Sequence, residues 1–236
     1  MIRYFLITVI SLLPYSLFAL ECPEGQFLVN AHPRTSYYRT DGTFVNSSNV
    51  ETYCKEYTFS KPLILKYLSS MPEGWPNQLE LFKAWSPSEK KLLEKEIAKL
   101  PKMLRDQGEI TLLRAIRSAF PDNPSTAAPD ESIIVFYDNA KKFGYKRVLA
   151  HEMAHLLFKK LSDDERKSYY KAADWLGQEP GNFKTARKNF SETDGILGPE
   201  EDFANNVEHI LIDKKHNNAI SSSIEKCVKN ILGIKK

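Results

Sequence analysis

The chain has 236 residues, of which 42% are apolar, and a formal net charge of +3 from 33 Lys and Arg against 30 Asp and Glu. That is enough apolar material for one real core, and so small a charge excess singles out no nucleic-acid or membrane-surface partner. The three cysteines, Cys22, Cys54 and Cys227, lack the paired C-x-x-C spacing of a structural zinc site, and no internal repeat or low-complexity tract is present.

Residues 1–19 read as a signal peptide: Arg3 supplies a short positive start, an apolar run follows from Tyr4 to Leu13, and Ala19 marks the cleavage point. The run is interrupted by Ser11 and Pro14, which argues against a membrane anchor. An exported protein, periplasmic or secreted and free of the membrane after cleavage, is the expectation. Residues 20–60 form their own β-hairpin unit, with Asp41-Gly42 as the turn signal between β-formers. In an oxidising compartment Cys22 and Cys54 are the candidates for a disulfide closing this unit, with Cys227 left over. His32 is expected to be a structural histidine.

The domain proper runs over residues 61–236. Lys61 to Pro76 reads as a connection with one short helix at Leu63–Leu68. Ser86, Pro87 and Glu89 form a capping box that opens a helix whose apolar stripe is Leu92, Leu93, Ile97 and Leu100. Its lysine- and glutamate-rich face is a solvated surface rather than a nucleic-acid site. A further amphipathic helix is expected over Ile110–Phe120, then a loop over Pro121–Ser125. Ser132–Tyr137 is the best strand of the chain, continuous and rich in β-branched and aromatic residues.

The segment Val148 to Phe158 carries H-E-x-x-H as His151-Glu152-Met153-Ala154-His155. Residues four apart share a helix face, so His151 and His155 can point both imidazoles at one cation. Glu152, rotated about 100° from His151, can reach a water beside that cation without being a ligand. The remaining positions are nearly all apolar, and two histidines and a glutamate in a buried helix are costly without partners. One Zn2+ per chain, with its water, provides them. After this helix, Ser162 and Glu165 form a second capping box for a helix through about Trp175. The irregular stretch Gly177–Gly198 is long enough to be functional, as one wall or lid of a cleft. A helix follows from Pro199, with Glu201, Asn205, Glu208 and Ile212 on one face, and a last helix spans Ser222–Leu232.

H-E-x-x-H followed by a helix opening Glu201-Asp202-Phe203-Ala204 resembles the gluzincin metallopeptidases, in which a glutamate on a later helix is the third ligand. The spacing (201 − 155 = 46) is more like the lethal-factor branch. The resemblance implies an α+β, zincin-like fold, mostly helical with a small mixed sheet, in which the Ser132–Tyr137 strand is the edge that holds extended peptide. It implies Glu201 as third ligand, with Glu200 the competitor, and Asn205 in the position that orients a ligand histidine. A zinc ion held there would lower the pKa of a bound water toward about 7, and Glu152 is the residue expected to take the proton as the water attacks a peptide carbonyl. The substrate expected is a protein or peptide, with cell-wall peptide included, and the chain a monomer. The tyrosine of that branch, seven residues before the ligand glutamate, is here Asp194. His209, Tyr169 and Tyr170 are then the candidates for an oxyanion donor. The alternatives are an exported binding module with a structural or vestigial zinc site, and an interaction protein with no metal, built on the N-terminal hairpin.

Overall fold

The computed structural model describes residues 26–29, 32–34, 37–38, 44–56, 61–70, 81–118, 120, 122–177, 182–212 and 220–234. The expected signal peptide, Cys22 and the Asp41-Gly42 turn lie outside these residues.

Six short strands come first: β1 (Gln26–Val29), β2 (His32–Arg34), β3 (Tyr37–Tyr38), β4 (Phe44–Val45), β5 (Ser48–Val50) and β6 (Tyr53–Glu56). They pair antiparallel as β1–β6, β2–β5 and β3–β4. The register is constant, since the Gln26–Glu56 pair moves inward by equal steps to His32–Val50 and Tyr38–Phe44. The three pairs thus share the register that a hairpin requires. Cys54 on β6 is disulfide-bonded, and Cys227 is a free thiol.

The main sheet has the order β7-β8-β10-β9, from β7 (Lys61–Leu68), β8 (Gln107–Ala115), β9 (Ser125–Ala128) and β10 (Ile133–Tyr137). β7, β8 and β10 run parallel, and β9 runs antiparallel to β10. The small mixed sheet and α+β class are as expected, but two expected helices are strands. β7 replaces the helix at Leu63–Leu68: Leu63, Leu65 and Tyr67 are half-buried while Ile64, Lys66 and Leu68 are exposed, a period of two. β8 replaces the amphipathic helix over Ile110–Phe120. Being a central strand, it buries both faces, so Ile110, Leu112, Leu113 and Ala115 are all inaccessible and its apolar pattern mimics a helix. Ile110, Leu112, Ile134 and Phe136 face the helices, whereas Leu113, Ala115, Ile133, Val135 and Tyr137 form a second cluster on the opposite face.

Helix α1 (Pro87–Ile97) has the full capping box between Ser86 and Glu89, and buries Leu93 and Ile97 while Leu92 stays exposed. A short α2 (Lys102–Arg105) leads into β8. After β10 comes the single turn α3 (Ala140–Phe143), ended by Gly144 at φ +85°, a conformation that glycine adopts without a Cβ penalty. The chain is thereby re-aimed, and the long α4 (Tyr145–Lys160) starts at once. Its buried residues include Val148, Leu149, Ala150, Met153, Ala154, Leu156 and Leu157. Burial on almost every side fits an apolar helix, and α4 is the central pillar, contacting α1, α6 and β9.

Helix α5 (Asp163–Ala172) carries the second capping box, and ends before Trp175, which lies instead in β11 (Trp175–Leu176), paired with β12 (Lys184–Thr185). A 3-10 turn at Thr193–Leu197 precedes α6 (Pro199–Leu211), with Pro199 at its first position. Then α7 (Ser222–Ile231) buries Ile224, Val228 and Ile231 against the core. No helix among the described residues is long and apolar enough to cross a membrane.

Candidate metal centre

Helix α4 presents His151 and His155 one turn apart on the face toward α6. Their Nε2 atoms lie 3.2 Å apart. Glu201, in the first turn of α6, closes the triangle: Oε1 is 3.3 Å from His151 Nε2 and Oε2 is 3.4 Å from His155 Nε2. One ligand atom from each of the three lies within 4.8 Å of the others. Ligands of a tetrahedral zinc at about 2.0–2.1 Å sit about 3.3 Å from one another. The two imidazole nitrogens have that separation, the Glu201 carboxylate faces both, and the group could hold a metal ion.

The outer nitrogens of the two rings are engaged by carboxylates. His155 Nδ1 is 3.1 Å from Glu200 Oε1, and His151 Nδ1 is 3.6 Å from Glu208 Oε2. A carboxylate behind Nδ1 favours the proton there and leaves the Nε2 lone pair for a metal. Glu208, only 3% exposed, is itself clamped by the Arg147 guanidinium, whose Nη2 also reaches Glu192 at 3.5 Å. Glu200 thus sits behind His155 rather than competing for the ion. Asn205, the expected histidine-orienting residue, lines the cleft and donates from Nδ2 to Asp194 Oδ1 at 2.7 Å, which ties α6 to the 3-10 turn; the groups beside the outer ring nitrogens are the two carboxylates. The ring-orienting role falls to Glu208 and Glu200. Glu208 had a sequence signal, being two turns after Glu201 on the same helix face.

The carboxylates around the two rings favour their protonated forms. Burial disfavours charge on His155, but hydrogen bonds to Glu200 and Glu201 outweigh it and raise the pKa to about 9. Burial likewise opposes charge on His151, and Glu201 and Glu208 raise it well above the ordinary value. Burial would raise the Glu201 carboxyl, yet its bonds to both imidazoles hold it far below the carboxylate range. Such a pair of imidazoliums around a carboxylate is a set of charges that a dication can replace.

Glu152 is 5% exposed and accepts a 2.6 Å hydrogen bond from Ser125 Oγ on β9. Both side chains line a cleft of about 650 Å³ that also contains His151, His155 and Glu201. The strand beside this cleft is β9, not β10. The expected edge strand is internal, between β8 and β9, and the edge comes from the segment that begins at the end of the expected loop. The opposite wall is formed by Glu192, Thr193, Asp194 and Leu197, from the long irregular stretch before α6. Phe120 and Leu197 stand at the mouth, 73% and 80% exposed.

The wall is anchored from behind. Asp202, next to Glu201 but fully buried, accepts hydrogen bonds from Tyr169 Oη at 2.7 Å, Trp175 Nε1 at 2.9 Å and Asn206 Nδ2 at 3.1 Å. It also pairs with Arg187 at 2.5 Å, and the Arg187 guanidinium stacks over Phe190. Gly195 is closely packed in this wall, because a Cβ there would stand 3.0 Å from the Phe190 ring, which would have to shift slightly. Tyr169 is therefore committed to Asp202, and Tyr170 packs against Phe183 and Phe158. Neither tyrosine lines the cleft, nor does His209, so the three expected oxyanion candidates stand away from it. Ser125 and Arg147 are the site residues that sequence reasoning missed; Glu200 was expected only as a competing ligand, and Glu208 only as a member of the Glu201 face. Comparison with family models, curated proteins and solved structures found no match.

Proposed function

We propose that this protein is an exported zinc-dependent peptidase of zincin-like architecture, with His151, His155 and Glu201 as metal ligands and Glu152 as general base. The observation that carries this reading is the cluster of His151 Nε2, His155 Nε2 and the Glu201 carboxylate: the two nitrogens are 3.2 Å apart, and each has a different Glu201 oxygen at 3.3 or 3.4 Å. Two neutral imidazoles and one carboxylate form a donor set suited to zinc, with one coordination position left over. The disulfide at Cys54 and the signal-like residues 1–19 support export, because disulfides persist in oxidising compartments.

A zinc ion bound there would supply Lewis acidity to a water and to a substrate carbonyl. The chain supplies the rest. Glu208 and Glu200 hold the imidazoles with Nε2 inward. Glu152, buried beside the cleft, takes a proton from the attacking water and returns it to the leaving amine nitrogen. The edge of β9 offers unpaired backbone groups on which an extended peptide can lie. The Thr193–Leu197 turn closes the far side and restricts solvent.

A second reading has its own support. Among the described residues no tyrosine lines the cleft, and Asp194 stands where the resembled family carries one. An exported binding module with a structural zinc fits that arrangement. Zinc content of the purified protein, beside Glu201→Ala, and turnover of a quenched peptide library separate the two. One zinc per chain with turnover supports the peptidase; one zinc without turnover on any peptide supports the binding module. Absence of zinc from wild-type protein refolded with the metal refutes both.

A further inference from the structure

The general base of the proposed chemistry is held by a residue from another element. Glu152 lies on α4 between His151 and Met153, in a helix most of whose other residues are apolar and buried. Its hydrogen-bond partner among the described residues is Ser125, which donates from Oγ to Glu152 Oε1 at 2.6 Å. The contact is short, as hydroxyl–carboxylate bonds are. Ser125 is itself fixed: it is 3% exposed, its N–H donates to Asn123 Oδ1 at 3.2 Å, and its Cα is in register with Phe136 on β10. Asn123 is held in turn by a 3.1 Å bond from Nδ2 to Thr126 Oγ1. The donor is therefore locked by backbone pairing and by a local side-chain turn, not by its own rotamer preference.

We propose that Ser125 is a positioning residue for Glu152: its hydroxyl pins Oε1 and leaves Oε2 as the oxygen that meets a metal-bound ligand. The inference rests on the reading of His151, His155 and Glu201 as a zinc site with Glu152 beside it. The physical reason is preorganisation. A glutamate has three rotatable bonds, and an unpinned carboxylate spends part of its time turned from the centre. A donor on Oε1 removes that freedom and compensates the burial of the charge. Because the donor sits on the edge strand of the cleft, the strand that offers backbone groups to a substrate also sets the base.

The test uses the zinc-loaded full chain and acetohydroxamate, a small zinc chelator whose acidic proton is taken up by a carboxylate beside the metal. Its affinity is measured by titration calorimetry for wild type, Ser125→Ala, Glu152→Gln, the double variant and Ser125→Thr. Ser125→Ala is expected to weaken acetohydroxamate about tenfold while retaining one zinc, and Ser125→Thr to restore affinity to within about twofold. In the Glu152→Gln background the alanine change should have no further effect. Should Ser125→Ala fail to fold, Ser125→Cys offers a weaker donor of similar size and should lose an intermediate amount. Wild-type affinity in Ser125→Ala, an equal loss in the Glu152→Gln background, or no probe binding by zinc-loaded wild type overturns the proposal. A coupled Ser125–Glu152 pair in a protein that hydrolyses no peptide leaves the positioning role standing and refutes only the peptidase. A protein that takes up no zinc refutes both.

Discussion

Glu208 lies two helical turns beyond Glu201 on α6, and its Oε2 stands 3.6 Å behind His151 Nδ1 while Glu201 Oε1 stands 3.3 Å in front of Nε2. One helix therefore grips both sides of a single imidazole, and Arg147, one turn before that histidine on α4, holds the rear carboxylate in place. The arrangement places a carboxylate on each side of the ring and restrains its orientation.

Removing that rear carboxylate should weaken the metal without abolishing it. Glu208→Gln is expected to lower zinc affinity by about 10- to 100-fold, the range for a lost outer partner of a ligand histidine. Glu200→Gln should cost less, because the Glu200 side chain is 46% exposed and water can replace it. Glu201→Ala should cost more than either. Competition against a chromogenic chelator ranks the three, and equal affinity for Glu208→Gln and wild type would contradict the assignment.

The zinc-free protein should lose stability with rising pH. His155 has its pKa raised to about 9, mainly through Glu200 and Glu201 working against burial, from an unfolded value of about 6.5. A raised pKa means the folded state binds the proton more tightly. The stabilisation is then complete below about pH 6.5 and disappears as pH climbs through about 9. His151 is shifted the same way and adds to the slope. Denaturant titrations of chelator-treated protein at pH 6 and pH 9.5 check this, and the zinc-loaded protein should show a much flatter profile because the ion replaces the protons. A zinc-free protein more stable at pH 9.5 than at pH 6 would reverse the predicted sign.

Glu152→Gln keeps the shape of the side chain and removes its basicity. Zinc content should be unchanged, and peptide hydrolysis should fall by about 10²- to 10⁴-fold, the usual contribution of a positioned general base. Turnover at the wild-type rate would remove Glu152 from the mechanism.

Asp202 is a structural charge, and its loss should be felt in folding. Asp202→Ala leaves Arg187, Tyr169 and Trp175 without their shared acceptor. Breaking a buried pair from one side costs about 3–5 kcal/mol. Tyr169→Phe deletes one donor of the same network and should cost about 1–2 kcal/mol. Urea denaturation of the two variants gives the comparison, and a smaller loss for Asp202→Ala than for Tyr169→Phe would contradict the anchoring role.

The parts of this protein readable from residue order are those whose physics is local. The four-residue spacing of His151 and His155 puts two rings on one helix face in any fold, and the Ser86/Glu89 and Ser162/Glu165 boxes satisfy their helix ends from within four residues. The Ser132–Tyr137 run is likewise recognisable as a strand, because a continuous β-branched and aromatic stretch carries its own signal, and the strand forms over Ile133–Tyr137. Long-range packing decided the rest. Leu63–Leu68 and Ile110–Ala115 have patterns that suit a helix or a strand, and became strands because each pairs with the other in a parallel sheet, residues more than forty apart in the chain. β9 took the cleft edge from β10 through an antiparallel return that no local signal announces. Ser125 reached Glu152, and Glu208 reached His151, only because α4 is packed between that edge and α6. Spacing along a helix can align two ligands, but bringing a third ligand and the carboxylates behind them to the same point needs contacts between elements that the chain order does not encode locally.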